Sequence, residues 1–479
     1  MSAFFPPDPP SGLPATLGEL RASGWEPVPV HEEIRRNAVA RIAEGRPLVD
    51  GVLGFDDTVL PQLENAVLAG HDVILLGERG QAKTRIVRSL VALLDEWLPV
   101  VAGSEIRDDP SAPVSRQARD LVAEEGDATP LHWVHRSLRF SEKLATPDTS
   151  IADLIGEVDP IKVAEGRYLS DEHTLHYGLV PRANRGIFAV NELPDLAERI
   201  QVGLLNVMEE RDVQIRGYKI RLPLDVMLVA SANPEDYTNR GRIITPLKDR
   251  FGAQIRTHYP LDIETELGVV HQEATPMERL GVRVEVPSFM AEVVANLSHL
   301  ARQSPHINQR SGVSVRLSIA NFETMEANAV RRALRLGEPD AVPRISDLDA
   351  LASSTSGKVE IETLDEGRDE QVVDRLIKAA VLTVFKERCP IDQLRQVVDA
   401  FDEGTVVHAG DDVAAGSYVE LLGSMPDLRK QVLALAGSES PAAVASAVEF
   451  VLEGLHLSKR LNKDAVGARA TYRGRGGSR

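Results

Sequence analysis

The segment His71–Val87, HDVILLGERGQAKTRIV, orders its residue types as a phosphate-binding loop requires. An apolar run, Val73–Leu76, enters a glycine-containing turn that closes on Lys83-Thr84, and a helical pattern follows. Such a turn aims backbone N–H groups inward, the helix N-terminus adds positive potential, and a lysine reaches the outer phosphates. The loop offers Gly77, Glu78, Arg79, Gly80, Gln81, Ala82 and Lys83 to a nucleotide, with the Thr84 hydroxyl set for Mg2+. The strict pattern, G-x-x-x-x-G-K-[ST], has glycine where Ala82 stands. On this segment alone, a plain strand–turn–helix without a ligand stays open.

Further residues recur in the order that nucleotide hydrolysis needs. In GIFAVNELPDL, the apolar run Ile187–Val190 ends in Asn191-Glu192, where a P-loop ATPase normally offers Asp-Glu. Glu192 is then the candidate base for an attacking water. Asn191 takes the aspartate's place near Mg2+; it can accept a hydrogen bond from a metal-bound water but brings no negative charge, so weaker Mg2+ binding is expected. The run Val226–Ser231 ends in Ala232-Asn233-Pro234, and an amide at a neighbouring strand tip can orient that water. In ITPLKDRFG, Arg250 precedes another strand-like run and suits a finger reaching the γ-phosphate of a neighbouring subunit. Its bland alternative is a surface ion pair. Arg316, in SGVSVRLSIANF, opens a helix in the α-helical part, from which it can reach the nucleotide.

The elements that must position these residues follow from patterning. Continuous, β-branched-rich runs alternating with helical stripes predict an α/β fold with a doubly wound parallel sheet. Ile86, Leu90, Leu93, Leu94 and Trp97 predict one helical stripe after the loop, and the polar stretch Ala102–Pro130 reads as an insertion or loop. Beyond about Pro287 helical patterns dominate: Phe289–Gln303, then a stripe from Ile319 to Leu336, a Ser-rich break at Ser353–Gly357, and further helices to about Leu461. The ending ATYRGRGGSR is expected to be disordered. The organisation expected is an N-terminal tail and helix over 1–48, an α/β nucleotide-binding domain over 49–262, a helical lid over 263–350, and a mainly helical region over 351–479.

Bulk composition narrows the function class. The 479 residues carry a formal charge of −18, which disfavours a nucleic-acid-coating role. A single cysteine, Cys389, fits a reducing, cytoplasmic compartment. No stretch reaches the roughly 18–20 apolar residues of a membrane span. His173 and His176 form H-x-x-H in a polar run and read as a solvated loop rather than a metal pair.

GERGQAKT, LATPDTSIADLIGEVDP, YGLVPRANRGIFAVNELPDL and GLLNVMEERDVQIRGYKIRLPLDVMLVASANPED together carry a family likeness. The chain resembles the AAA+ ATPases of the magnesium chelatase I-subunit and MoxR group, over about Gly54 to Leu348. The resemblance implies an AAA+ P-loop core with a helical lid, ATP and Mg2+ as cofactors, and a homo-oligomeric ring, usually hexameric, with ATP between subunits. It also implies Arg250 as finger, Arg316 as second sensor, Asn233 as first sensor, and a separate von Willebrand-type domain protein as partner. An ATP-driven machine that remodels a partner protein is the expected function. Its alternatives are a nucleotide-sensing scaffold with little hydrolysis, the ATPase subunit of metal insertion into a porphyrin, and a nucleic-acid motor.

Overall fold

Apolar runs too hydrophobic to face water on either side become the centre of a five-stranded sheet in the computed structural model. It describes residues 6–158, 174–210, 212–214, 221–233, 241–277, 281–309, 312–361, 369–466 and 469–475. The strands are β1 (Val73–Leu76), β2 (Phe140–Leu144), β3 (Gly186–Asn191), β4 (Val226–Ala232) and β5 (Ala253–Arg256). All pairings are parallel, in the order β5-β1-β4-β3-β2. Every residue of β1, β3 and β4 is buried. Alternate side chains serve opposite faces. Val73, Leu75, Ile187, Ala189, Met227 and Val229 pack with apolar residues of α1 (Val30–Ala43), α2 (Val59–Ala69) and α3 (Lys83–Ser89). Ile74, Phe188, Val190, Leu228 and Ala230 pack on the other side with Ile200 and Leu204 of α4 (Glu198–Glu210). A short helix, α5 (Thr245–Arg250), precedes β5.

Residues 1–258 and 259–479 are separate compact units. In the first, α1 is tied down by a buried ion pair: both guanidinium nitrogens of Arg139 donate to Glu33 at 2.6 Å. Two antiparallel pairs leave the main sheet, Gly156–Val158 with Leu175–Tyr177 and Asp212–Gln214 with Arg221–Pro223.

Local chemistry departs from the sequence reading at several points. The helix after the loop stops at Ser89 and passes into a 3-10 turn, Leu90–Leu93. Trp97 instead begins a strand, Trp97–Val101, paired with Leu131–His135; its Pro99 and valines favour extended backbone. Ala102–Pro130 is not all loop. It holds the helix Arg116–Glu125, capped where the Ser115 hydroxyl accepts the Ala118 N–H at 3.2 Å.

In the second unit, α6 (Ser288–Gln303), α7 (Arg316–Leu336), α8 (Asp369–Arg388) and α9 (Pro441–Leu457) share one apolar core, drawn from both the 263–350 and the 351–479 segments. Phe289 and Phe450 meet in it with ring centroids 4.6 Å apart. The Ser-rich break is helical over Leu351–Ser356, because its serine hydroxyls donate back to carbonyls one turn earlier. The expectation of a disordered ending fails over its described part. Arg469–Arg473 is the central strand between Val406–Gly410 and Asn462–Val466. Tyr472 anchors it, buried, donating its hydroxyl to Glu453 at 2.6 Å. Among the described residues, no helix is long and apolar enough to cross a membrane.

Candidate functional site

Parallel pairing sets the C-terminal tips of β1, β4 and β3 side by side: Leu76 is level with Ala232, and Ala230 with Val190. Gly77, Asn233 and Asn191-Glu192 therefore emerge at one edge of the sheet, the edge at which open α/β sheets bind ligands.

The loop that starts at Gly77 is braced from both neighbouring strands. The Gly77 N–H donates to Ala232 O at 3.1 Å, and the Thr257 N–H, just past β5, donates to Leu76 O at 2.8 Å. The buried Gln81 carbonyl accepts the Glu78 N–H at 3.1 Å and the Thr257 hydroxyl at 2.8 Å. A Cβ on Gly77 would lie 2.0 Å from Thr257 Oγ1 and 2.3 Å from Gln81 Oε1, so this clamp requires glycine. Gly80 and Ala82 both take positive φ, 77° and 53°. The left-handed backbone at Ala82 is what glycine serves in the strict pattern, and alanine bears about 1–2 kcal/mol for it.

Lys83 opens α3 with its ammonium folded into the loop. Nζ donates to Gly77 O, to Glu78 O at 2.7 Å and to Asn233 Oδ1 at 2.9 Å. Residues 150 positions apart thus meet, and the cation is ringed by oxygens, the ligand type a phosphate would supply in their place.

At the β3 tip, Ser231 donates its hydroxyl to Asn191 Oδ1 at 3.1 Å, and Asn191 Nδ2 donates to Glu142 of β2. Glu142 also accepts Arg88 Nε, from α3, at 2.8 Å. Glu192 is left-handed, φ 55° and ψ 49°, and its N–H reaches Ser231 Oγ at 3.4 Å. A non-glycine residue held there at a strand tip is backbone strain of the kind that gathers at functional sites.

The structure therefore brings Lys83, Asn233, Asn191, Glu192 and the loop to one edge, with Thr84 half-buried in the first turn of α3. It does not gather all candidates there. Arg250 ends α5, ahead of the opposite end of β5, where Ala253 is level with Val73; it is exposed and donates to Glu209. Arg316 opens α7 in the second unit and is exposed. His176 sits exposed on the strand Leu175–Tyr177, while its motif partner His173 lies outside the described residues. Glu142, Ser231 and Thr257 escape the sequence reading, and of these only Glu142 left a signal. FSEKL alternates weakly, as a half-covered edge strand does.

A Mg·nucleotide suits these residues. Mg2+ bound with phosphates needs one or two protein oxygens and keeps several waters. The Thr84 hydroxyl and the Asn191 amide are oxygens of that kind. Among the described residues there is no cluster of three or more His, Cys, Asp or Glu able to hold a metal unaided.

A phosphate loop after β1 of a β5-β1-β4-β3-β2 sheet, with polar residues at the β3 and β4 tips, decides the fold. It is an AAA+ P-loop core. Residues 163–250 match the sigma-54 interaction domain family. The chain is similar to the magnesium-chelatase 38 kDa subunit of Rhodobacter capsulatus, 31% identical over 259 residues, covering 50% of this chain and 66% of that protein. It is similar to magnesium-chelatase subunit ChlI of Nostoc sp., 30% identical over 236 residues, covering 47% of this chain and 57% of that protein. The chain thus spans from over half to about two-thirds of these relatives' lengths. Among solved structures, a complex of subunits BchI and BchD of magnesium chelatase is similar at 22% identity and a TM-score of 0.36, over 68% of this chain and 100% of that one. NtrX from Brucella abortus in complex with ATP is similar at 14% identity and a TM-score of 0.37, over 73% of this chain and 66% of that one.

Proposed function

We propose that this chain binds ATP with Mg2+ and hydrolyses it as one subunit of a ring, in a reducing, cytoplasmic compartment, to drive change in a partner protein. The observation that carries the reading is the Lys83 ammonium, buried among loop carbonyls and the Asn233 amide, beside the strand tip that bears Asn191-Glu192. Lys83 would exchange carbonyls for phosphate oxygens, and Thr84 and Asn191 would hold the metal, whose bound charge offsets that of the phosphates. Glu192 would take the proton of the attacking water and Asn233 would orient it. Arg250 would leave Glu209 to face the γ-phosphate held by a neighbouring subunit. Arg316 would meet the nucleotide from the second unit.

The magnesium-chelatase relatives support an ATPase that works with a partner subunit. Remodelling of a partner that carries a von Willebrand-type domain, in the MoxR manner, is our reading; metal insertion is the alternative those relatives favour. A second reading, a nucleotide-sensing scaffold, is favoured by the uncharged Asn191.

Mg2+-dependent ATP binding and turnover by the purified chain test these readings. We expect Lys83→Ala to lose ATP binding and Glu192→Gln to keep it without turnover. Unchanged ATP affinity in Lys83→Ala would sink the loop assignment. Tight binding without turnover in the wild type would favour the scaffold.

A further inference from the structure

Asn191 leaves the β3 tip one carboxylate short of the Asp-Glu pair expected there, and a carboxylate stands beside it. Glu142 of β2 is level with Ala189, so both share a face of the sheet with Asn191, two residues further on. That face belongs to the phosphate-loop helix, since Ala189 packs with Ile86 and Val87 of α3. Glu142 accepts the Asn191 amide on one oxygen and Arg88 of α3 on the other. Ser231 fixes the amide's orientation by donating to Asn191 Oδ1, which leaves Nδ2 to face Glu142. An aspartate at 191 has no proton to offer and would set two carboxylates against each other. The two residues are therefore complementary: asparagine is the residue that Glu142 requires as its neighbour.

We propose that Glu142 is a positioning residue that returns to this site the negative charge missing from Asn191. It polarises and holds the Asn191 amide, so that the pair does for Mg2+ what a single aspartate does elsewhere. The inference rests on the reading of the loop as a Mg·ATP site. Glu142 is mostly covered, with 20% of its side chain exposed, whereas Arg88 is 63% exposed. Arg88 is thus a solvated partner that moderates the charge without burying it. A merely structural role would make Glu142 an edge-strand ion pair for Arg88, of little energetic weight.

The test is binding of a fluorescent ATP derivative to the full chain across a free-Mg2+ series, from EDTA to millimolar metal. Glu142→Gln should keep the metal-free affinity and raise the Mg2+ midpoint by roughly ten- to a hundredfold, the usual effect of removing a residue that orients a metal ligand. The charge-swapped double variant, Glu142→Gln with Asn191→Asp, should return that midpoint towards the wild type, which no loss of an ion pair to Arg88 would do. A midpoint within twofold of wild type in Glu142→Gln overturns the inference, as does a double variant no better than the single one. An equal loss in Arg88→Ala overturns it too, by reducing Glu142 to that ion pair. Those results leave the nucleotide reading standing. Failure of the wild-type chain to bind ATP at any Mg2+ concentration overturns both.

Discussion

Gly77→Ala should disable the phosphate loop through packing alone. The added Cβ would sit 2.0 Å from Thr257 Oγ1, 2.3 Å from Gln81 Oε1 and 3.2 Å from Thr257 Cβ, so both side chains must swing away. That breaks the 2.8 Å bond between them and the 3.1 Å bond from the Glu78 N–H. Two net hydrogen bonds are worth about 1–3 kcal/mol together. Forcing a methyl into a filled site adds about 1–3 kcal/mol, so the expected loss is roughly 2–5 kcal/mol. Trp25, Trp97 and Trp133 are the chain's 3 tryptophans, and all lie within residues 1–258. Urea unfolding followed by tryptophan fluorescence therefore reads this unit and not the helical one. The double variant with Thr257→Ala removes the first clash and should be less damaging than the two single losses added, by at least about 1 kcal/mol. A Gly77→Ala loss below about 1 kcal/mol, or strict additivity with Thr257→Ala, would refute the clamp.

Other perturbations read other parts of the molecule. Asn191→Asp sets a second carboxylate against Glu142; at about 4 Å, with an effective dielectric between 20 and that of water, the repulsion is about 1–4 kcal/mol. Its metal-free unfolding midpoint should fall and partly recover with salt, and a salt-independent midpoint equal to wild type would contradict the placement. Arg139→Met strands the buried Glu33 carboxylate and should destabilise the first unit by about 3–5 kcal/mol in the same fluorescence assay. Burial and the Glu323 charge push the Glu326 carboxyl up to about 7. The folded chain then binds that proton more tightly than the unfolded one, so the contribution is full at low pH and is lost as pH rises from 4.5 to about 7. Glu326→Gln should accordingly raise the melting temperature of the second unit at pH 8 and leave it nearly unchanged at pH 4.

Strands buried on both faces announce themselves, because Val73–Leu76, Ile187–Val190 and Val226–Ser231 have no polar residue that could face water. A half-covered edge strand carries no such mark. Phe140–Leu144 places a glutamate and a lysine in a row, and only pairing with β3 makes it extended. Trp97 shows the converse, since its spacing from Leu90 and Leu93 suits a helix while Pro99 and the paired strand Leu131–His135 hold it extended. In the ending ATYRGRGGSR, charge and glycine suggest disorder, yet one buried tyrosine with a carboxylate acceptor outweighs them. Local pattern records how much a segment wants burial; it does not record which partner the fold brings.

The same division runs through the site. Lys83, Glu192 and Asn233 are legible because each follows an apolar run, and parallel pairing then fixes their meeting at one edge. Read by itself, Asn191 looks like a lesion in the motif, and restoring aspartate looks like its repair. Its meaning lies in a residue 49 positions earlier, brought within hydrogen-bonding reach only by the pairing of β2 with β3. Once Glu142 is beside it, the amide is the one side chain of that size able to accept from Ser231 and donate to a carboxylate together. Asn191→Asp then introduces a conflict instead of a repair, unless Glu142 gives up its charge in the same molecule.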